Sequence, residues 1–169
     1  MKQNGFHKLY IEELKDLYSA ETQLTKALPK MAKAASSDEL RQAIEQHLKE
    51  TEGHVQRLEQ IFEKLERSPR GKRCKGMAGL IEEGSELLKE KGEMEAEVLD
   101  AGLIAAAQRV EHYEIAAYGT ARTFAQRLGQ QEVAKLLQQT LDEEYAADRK
   151  LTAIAEGGVN QEAQAQSSA

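Results

Sequence analysis

The sequence predicts an all-α protein, a four-helix bundle with one long crossover, and three observations lead there. Ala, Leu, Glu, Gln and Lys dominate the 169 residues, which include only 2 prolines (Pro29 and Pro69) and no tryptophan. That composition favours helix. Apolar residues recur every three or four positions through four long stretches, and no segment alternates as a strand would. Finally, acidic and histidine side chains fall inside the apolar stripes in two matching sets. Glu21 is followed by Glu50 and His54 in the first half, and Glu111 by Glu144 and Asp148 in the second.

The first long helix is expected over about residues 6–35. Tyr10, Leu14, Leu17, Leu24, Leu28 and Met31 share its apolar face, and Glu21 lies in the same stripe. Ser36, with Glu39 three residues on, resembles a capping box that opens a second helix. Ser68-Pro69-Arg70-Gly71 closes that helix. The connection that follows, about residues 72–92, has enough periodic apolar residues between Met77 and Leu88 for a short extra helix. A third long helix is expected over about residues 94–128, with Gly129 as its C-terminal cap, and a fourth over about residues 132–155, stopping at Gly157-Gly158.

Residues 1–159 thus read as a single domain, and residues 160–169, rich in Gln, Ser and Ala, as a disordered tail. Short links make two antiparallel hairpins, and the long crossover lets the second and third long helices run parallel. That is the ferritin-like topology.

Charge and composition exclude several functions. A net charge of −6 argues against a nucleic-acid partner, which would face a basic surface. No apolar run approaches the roughly 20 residues that span a bilayer, and the N-terminus lacks the apolar core of a signal peptide. A soluble, cytoplasmic protein is expected. The single cysteine, Cys74, allows no intrachain disulfide and suits a reducing compartment. Its neighbours Lys72, Arg73 and Lys75 would lower its pKa.

The direction of the acidic side chains decides the functional reading. Glu21 extends the stripe of Leu14, Leu17, Leu24 and Leu28. Glu111 and Glu114 lie in a stripe with Ile104, Ala107, Tyr118 and Ala121, and Glu144 and Asp148 in one with Leu137, Leu141 and Leu151. On the second helix His47, Glu50, His54 and Ile61 align, while Thr51 and Leu58 compete for the same face. Each lone buried charge would cost several kcal/mol. Two metal ions would remove that cost. A site rich in carboxylate and poor in imidazole suits iron, with manganese as the alternative, better than structural zinc. The expected ligands are therefore Glu21, Glu50, His54, Glu111, Glu114, Glu144 and Asp148. His47 is an alternative ligand or an orienting group for Glu50. Tyr18 and Tyr118 are candidates for hydrogen bonds to the ligands, and His7 and His112 read as surface residues.

At these positions the sequence resembles the bacterial YciF-type branch of the ferritin-like proteins. The matching strings are Asp16-Leu-Tyr-Ser-Ala-Glu-Thr-Gln-Leu-Thr-Lys-Ala-Leu-Pro-Lys, Gly79-Leu-Ile-Glu-Glu, Ala101-Gly-Leu-Ile-Ala-Ala-Ala-Gln-Arg-Val-Glu-His-Tyr-Glu-Ile-Ala-Ala-Tyr-Gly-Thr and Thr140-Leu-Asp-Glu-Glu. The resemblance covers about residues 6–160 and implies a homodimeric bundle with a two-metal centre, linked to stress response. Glu111 with Glu114 looks like the paired glutamates of a rubrerythrin helix. The superfamily's usual Glu-x-x-His step is absent: both pairs here step by four, and Asp148 stands where histidine is common.

Three functions are consistent with this. The leading expectation is a di-iron protein that oxidises Fe(II) with oxygen or peroxide. A peroxide-disproportionating enzyme would use the same ligand types. A non-enzymatic helical stress protein with a structural metal site is the third.

Overall fold

The structure, a computed structural model, describes residues 5–166. Five long or medium helices and one short one account for it: α1 (Gly5–Ala34), α2 (Asp38–Lys64), α3 (Lys75–Lys89), α4 (Ala96–Arg127), α5 (Gln131–Ile154) and α6 (Asn160–Gln166). A 3₁₀ turn at Glu90–Gly92 and a π turn at Ala155–Val159 link them. The protein is a ferritin-like four-helix bundle of α1, α2, α4 and α5, with α3 carried in the crossover. No helix among the described residues is long and apolar enough to cross a membrane.

Side-chain pairs between helices fix the topology. Asp16 meets Tyr113 and Ser36 meets Asp100, so α1 and α4 run antiparallel. His54 meets Glu143 and Lys64 meets Glu132, so α2 and α5 do too. Gln108 reaches Thr152 and Arg122 reaches Gln138, which sets α4 against α5 in the same sense. It follows that α2 and α4 are parallel, the consequence of a crossover that traverses the bundle. Gly129, at φ 73°, supplies the left-handed turn that reverses the chain between α4 and α5.

The apolar interior is in two parts. One end holds Leu24, Leu28, Leu40, Met77, Leu103, Ile104 and Ile154. The other holds Tyr10, Leu14, Leu17, Leu58, Phe62, Leu137 and Leu141. Between them, along each helix, lie the buried polar groups Glu21, His47, Thr51, His54, Glu111, Glu114 and Glu144.

The crossover is anchored by Cys74. Its Sγ accepts from the Met77 amide and so caps α3, and it contacts Asp16 Oδ2 at 3.2 Å and Tyr113 Oη at 3.0 Å. Cys74 is buried, and burial pushes its thiol up, against the depression expected from its basic sequence neighbours. Lys72, Arg73 and Lys75 point to solvent while the thiol points inward.

Two further expectations change. The N-cap of α2 is Ser37, whose side chain accepts from Leu40 N. Ser36 instead donates from its amide and hydroxyl to Asp100, to which the Ser37 amide also donates. The expected disordered tail is helical through Gln166, because buried Val159 and the good helix formers after it let the chain continue past the glycines and pack on α4. Residues 167–169 of that tail lie outside the described residues.

Asp100 thus satisfies three donors at the α1–α2 turn from a buried position on α4. Asp100→Ala is expected to lower stability by about 2–3 kcal/mol, the value of charge-assisted bonds lost together with donors left unpaired. Urea unfolding of the variant with an unchanged m-value tests this, and a midpoint equal to the parent's contradicts it.

Candidate metal centre

The polar layer arises because four helices each turn a stripe containing one or more polar residues toward the axis at the same level. From α1 comes Glu21, between Leu17 and Leu24. From α2 come His47 and His54, seven residues apart and so on one face. Glu111 and Glu114 enter from α4 and Glu144 from α5.

These side chains form two groups whose ligand atoms lie within 4.8 Å of one another: His47, Glu111, Glu114 and Glu144, and Glu21, His54 and Glu144. Glu144 belongs to both, so a single carboxylate faces both positions. Every member is buried. His47 Nε2 lies 3.0 Å from Glu111 Oε1, and His54 Nδ1 lies 3.2 Å from Glu21 Oε1 and 3.0 Å from Glu144 Oε1.

Those short distances are not hydrogen bonds. The same ring nitrogens, together with Glu21 Oε2, Glu111 Oε2, both oxygens of Glu114 and both of Glu144, are buried without a hydrogen-bond partner. Buried polar atoms are almost always paired. A set that converges without aligning on one another has the geometry of lone pairs directed at shared points. Mixed carboxylate and imidazole donors, with no thiolate, fit iron or manganese, so the residues present suit the two-ion centre expected.

A supporting shell surrounds the groups. Tyr118 Oη donates to Glu21 Oε1 at 2.6 Å. His54 Nε2 lies 2.7 Å from Glu143 Oε2, and Glu143 is held by Arg57 through two further bonds of 3.0 and 3.2 Å. A carboxylate on the outer nitrogen of a ligand imidazole fixes the ring and leaves the inner nitrogen free to coordinate.

The electrostatics of the metal-free protein follow from this crowding. Burial opposes charge on His54, but the close carboxylates of Glu144 and Glu21 outweigh it and lift its pKa to about 10. His47 is likewise raised: burial opposes its charge, and the carboxylate of Glu111 overcomes that. Desolvation lifts Glu111 to about 8, against the pull of His47, and lifts Glu114 well above the carboxylate range, with Glu144 and Glu21 adding like charge. Glu144 resists its own burial through His54, His47 and Glu111 and falls to about 2. Protons on the imidazoles, Glu111 and Glu114 therefore take the neutralising role that bound cations would take.

Four expected residues stand elsewhere. Glu50 is in neither group. It sits at the edge of α2, bonded to Gln46 at 3.0 Å and 3.9 Å from His47 Nδ1, because the inward face of α2 is His47, Thr51, His54, Leu58 and Ile61. Asp148 is also outside both groups. It pairs with exposed His112 at 3.3 Å and accepts from Gln108, one turn beyond the layer. Tyr18 bonds Glu59 on the surface and does not reach a ligand. His7, half-buried, stacks edge-on against Tyr10.

Glu143 and Arg57 carry no apolar-stripe signal and were not singled out by the sequence. Their one trace is position: Arg57 follows His54 by three residues on α2, and Glu143 adjoins Glu144.

Two predictions test these electrostatics. A raised histidine contributes stability that is complete below its unfolded value of 6.5 and lost as pH rises through 10. Glu111, raised to about 8, acts in the same direction. The melting temperature of the metal-free protein should therefore fall from near pH 6.5 toward pH 10, and a rise across that window would overturn the assignment. Separately, Glu114→Gln replaces a buried acid with an always-neutral amide of the same shape. Burial and the like charge of Glu144 and Glu21 force that acid to take up a proton, so the metal-free variant should be stabilised by about 1–3 kcal/mol near neutral pH. Metal-free melting equal to or below the parent's counts against that reading.

Comparison with known proteins agrees along the whole chain. The family described as Domain of unknown function (DUF892) matches residues 5–164. Protein YciF of Escherichia coli (strain K12) is 48% identical over 169 residues, covering 97% of this chain and 98% of that protein. The crystal structure of the E. coli stress protein YciF superposes with a TM-score of 0.88, covering 95% of this chain and 99% of that one. YcfI of Rhodopseudomonas palustris, for which a structural role has been proposed, gives 0.84 at 43% identity, with 89% and 95% covered. A protein of Xanthomonas campestris pv. campestris, 24% identical, shares the fold at 0.73, with 94% and 95% covered. With matches of this extent, the chain belongs to the DUF892 family of YciF-like proteins.

Proposed function

We propose that this protein is a stress-response di-iron protein that oxidises Fe(II) with oxygen or peroxide at the carboxylate and imidazole layer. The observation that carries the reading is the pair of buried ligand groups sharing Glu144, with their inward oxygens and nitrogens unpartnered. Bound iron would supply the electrons for reduction of the oxidant. The chain's own residues would do the rest.

Each has a definite task. Glu144 would face both ions, with His54 and Glu21 completing one position and His47, Glu111 and Glu114 the other. Tyr118 steadies Glu21 through its 2.6 Å bond, and Glu143 with Arg57 steadies His54. The two apolar core segments above and below the layer shield it from water along the bundle axis, which strengthens charge interactions inside it. The protons held on Glu111, Glu114 and the histidines would leave as cations bind, so loading should improve with rising pH.

In this reading the protein is a homodimer, as the resemblance to the YciF-type proteins implies. Manganese could occupy the same donors and would favour disproportionation of peroxide. The E. coli relative's description as a stress protein supports the physiological setting.

The test is anaerobic titration of the metal-free protein with Fe(II), followed by exposure to oxygen or peroxide while near-ultraviolet ferric absorption is recorded. About two irons per chain, with oxidation that the double variant Glu21→Ala, Glu144→Ala lacks, is the expected result. Iron uptake equal in parent and variant, or no uptake at all, would favour a structural role.

A further inference from the structure

A cavity of about 340 Å³ opens between α1, α3 and α4 and runs inward to Glu111. It lies within the range of small-molecule sites. Leu28, Met31, Ile81, Leu88 and Val110 form its apolar walls. Lys26, Lys30 and Arg73 stand exposed in its lining, and none has an ion-pair or hydrogen-bond partner among the described residues. All three line the same cavity, so its exposed rim is positive although the chain carries a net charge of −6. At the inner end Glu111 is buried and its Oε2 has no hydrogen-bond partner.

Gly84 keeps the space open. It is buried in the middle of α3, where glycine costs helix stability relative to alanine. A Cβ there would meet only Ala106 Cβ, at 3.9 Å, so no backbone approach requires the glycine. What the missing side chain provides is room in the cavity, which both Gly84 and Ala106 line.

We infer that this cavity is a binding site for an amphipathic organic anion, a medium-chain aliphatic carboxylate. Its carboxylate sits among Lys26, Lys30 and Arg73, and its hydrocarbon tail lies along the apolar walls of Leu28, Met31, Ile81, Leu88 and Val110, stopping short of Glu111. Cations alone would hold any anion, and apolar walls alone any greasy molecule. The cavity combines both, with charge at the mouth and apolar surface within. The site stands on its own geometry and does not depend on the two-iron reading, so it is tested on metal-free protein.

The probe is decanoate below its micellar concentration, titrated calorimetrically into the full chain, with decanol and decyltrimethylammonium as controls for head charge. Saturable binding of about one decanoate per chain is expected, at least tenfold tighter than either control. Gly84→Phe should weaken it tenfold or more by filling the cavity. The triple variant Lys26→Gln, Lys30→Gln, Arg73→Gln should bring decanoate down to the level of decanol. Circular dichroism confirms that each variant is folded, and the surface triple variant keeps the test valid should Gly84→Phe fold poorly. Absent binding, equal binding of decanol, or decanoate binding unchanged in the triple variant would each overturn the inference. So would light scattering in which a dimer of the parent is lost in Gly84→Phe while decanoate fails to bind, since the groove would then hold a second copy.

Discussion

Everything in this bundle is arranged around one constraint: three carboxylates from the α4–α5 hairpin and one from α1 converge on two imidazoles in the buried interior. Such a layer divides an apolar interior that would otherwise be continuous. The surrounding helices must therefore hold against repulsion at their centre, and they do so through apolar packing on both sides. The bonds of Tyr118 and of Glu143, itself held by Arg57, work toward the same end, since Tyr118 and Glu143 each fix a ligand in a direction that crowding alone would not select. In the metal-free chain, protonation relieves the repulsion, and the same groups would be relieved more completely by cations.

The crossover helix is tied to this arrangement without taking part in it. Asp16 of α1 and Tyr113 of α4 meet Cys74 at the start of α3. Tyr113 lies between Glu111 and Glu114 in sequence but faces outward from the layer, so α4 presents ligands on one side and an anchor for α3 on the other. A polar residue at the bundle's outer face thus sets where the crossover lands, and with it the wall of the cavity that reaches Glu111.

Much of this was legible in the sequence. Glu21, Glu111, Glu114 and Glu144 sit in stripes whose other members are, Asp148 apart, leucine, isoleucine, alanine or tyrosine, and period alone places them inward. The α2 contribution was harder, because its stripe is ambiguous between two settings some tens of degrees apart. His47, Glu50 and His54 satisfy one setting, and His47, Thr51 and His54 the other. Packing of Leu58 and Ile61 against the neighbouring helices chooses the second and turns Glu50 to the edge. Asp148 fails for a different reason: it lies one turn past Glu144, beyond the level at which the four helices converge, where Gln108 and His112 can satisfy it. Glu143 and Arg57 are half-buried at the edge of their helices' apolar faces, and a binary apolar pattern carries no information about such positions. The reach of α6 was missed because consecutive glycines normally end a helix, whereas here the chain passes through a π turn and Val159 returns to the core.

The ligands are unevenly shared between the hairpins. Both imidazoles come from α2, while the α4–α5 hairpin contributes carboxylates alone. The two halves are thus chemically complementary rather than interchangeable. Two copies of the second hairpin, brought face to face, would oppose six glutamates with no imidazole between them. The layer therefore acts as a sorting code during assembly: it disfavours like-with-like association and directs each half to its unlike partner, whether that partner lies in the same chain or in a neighbouring one.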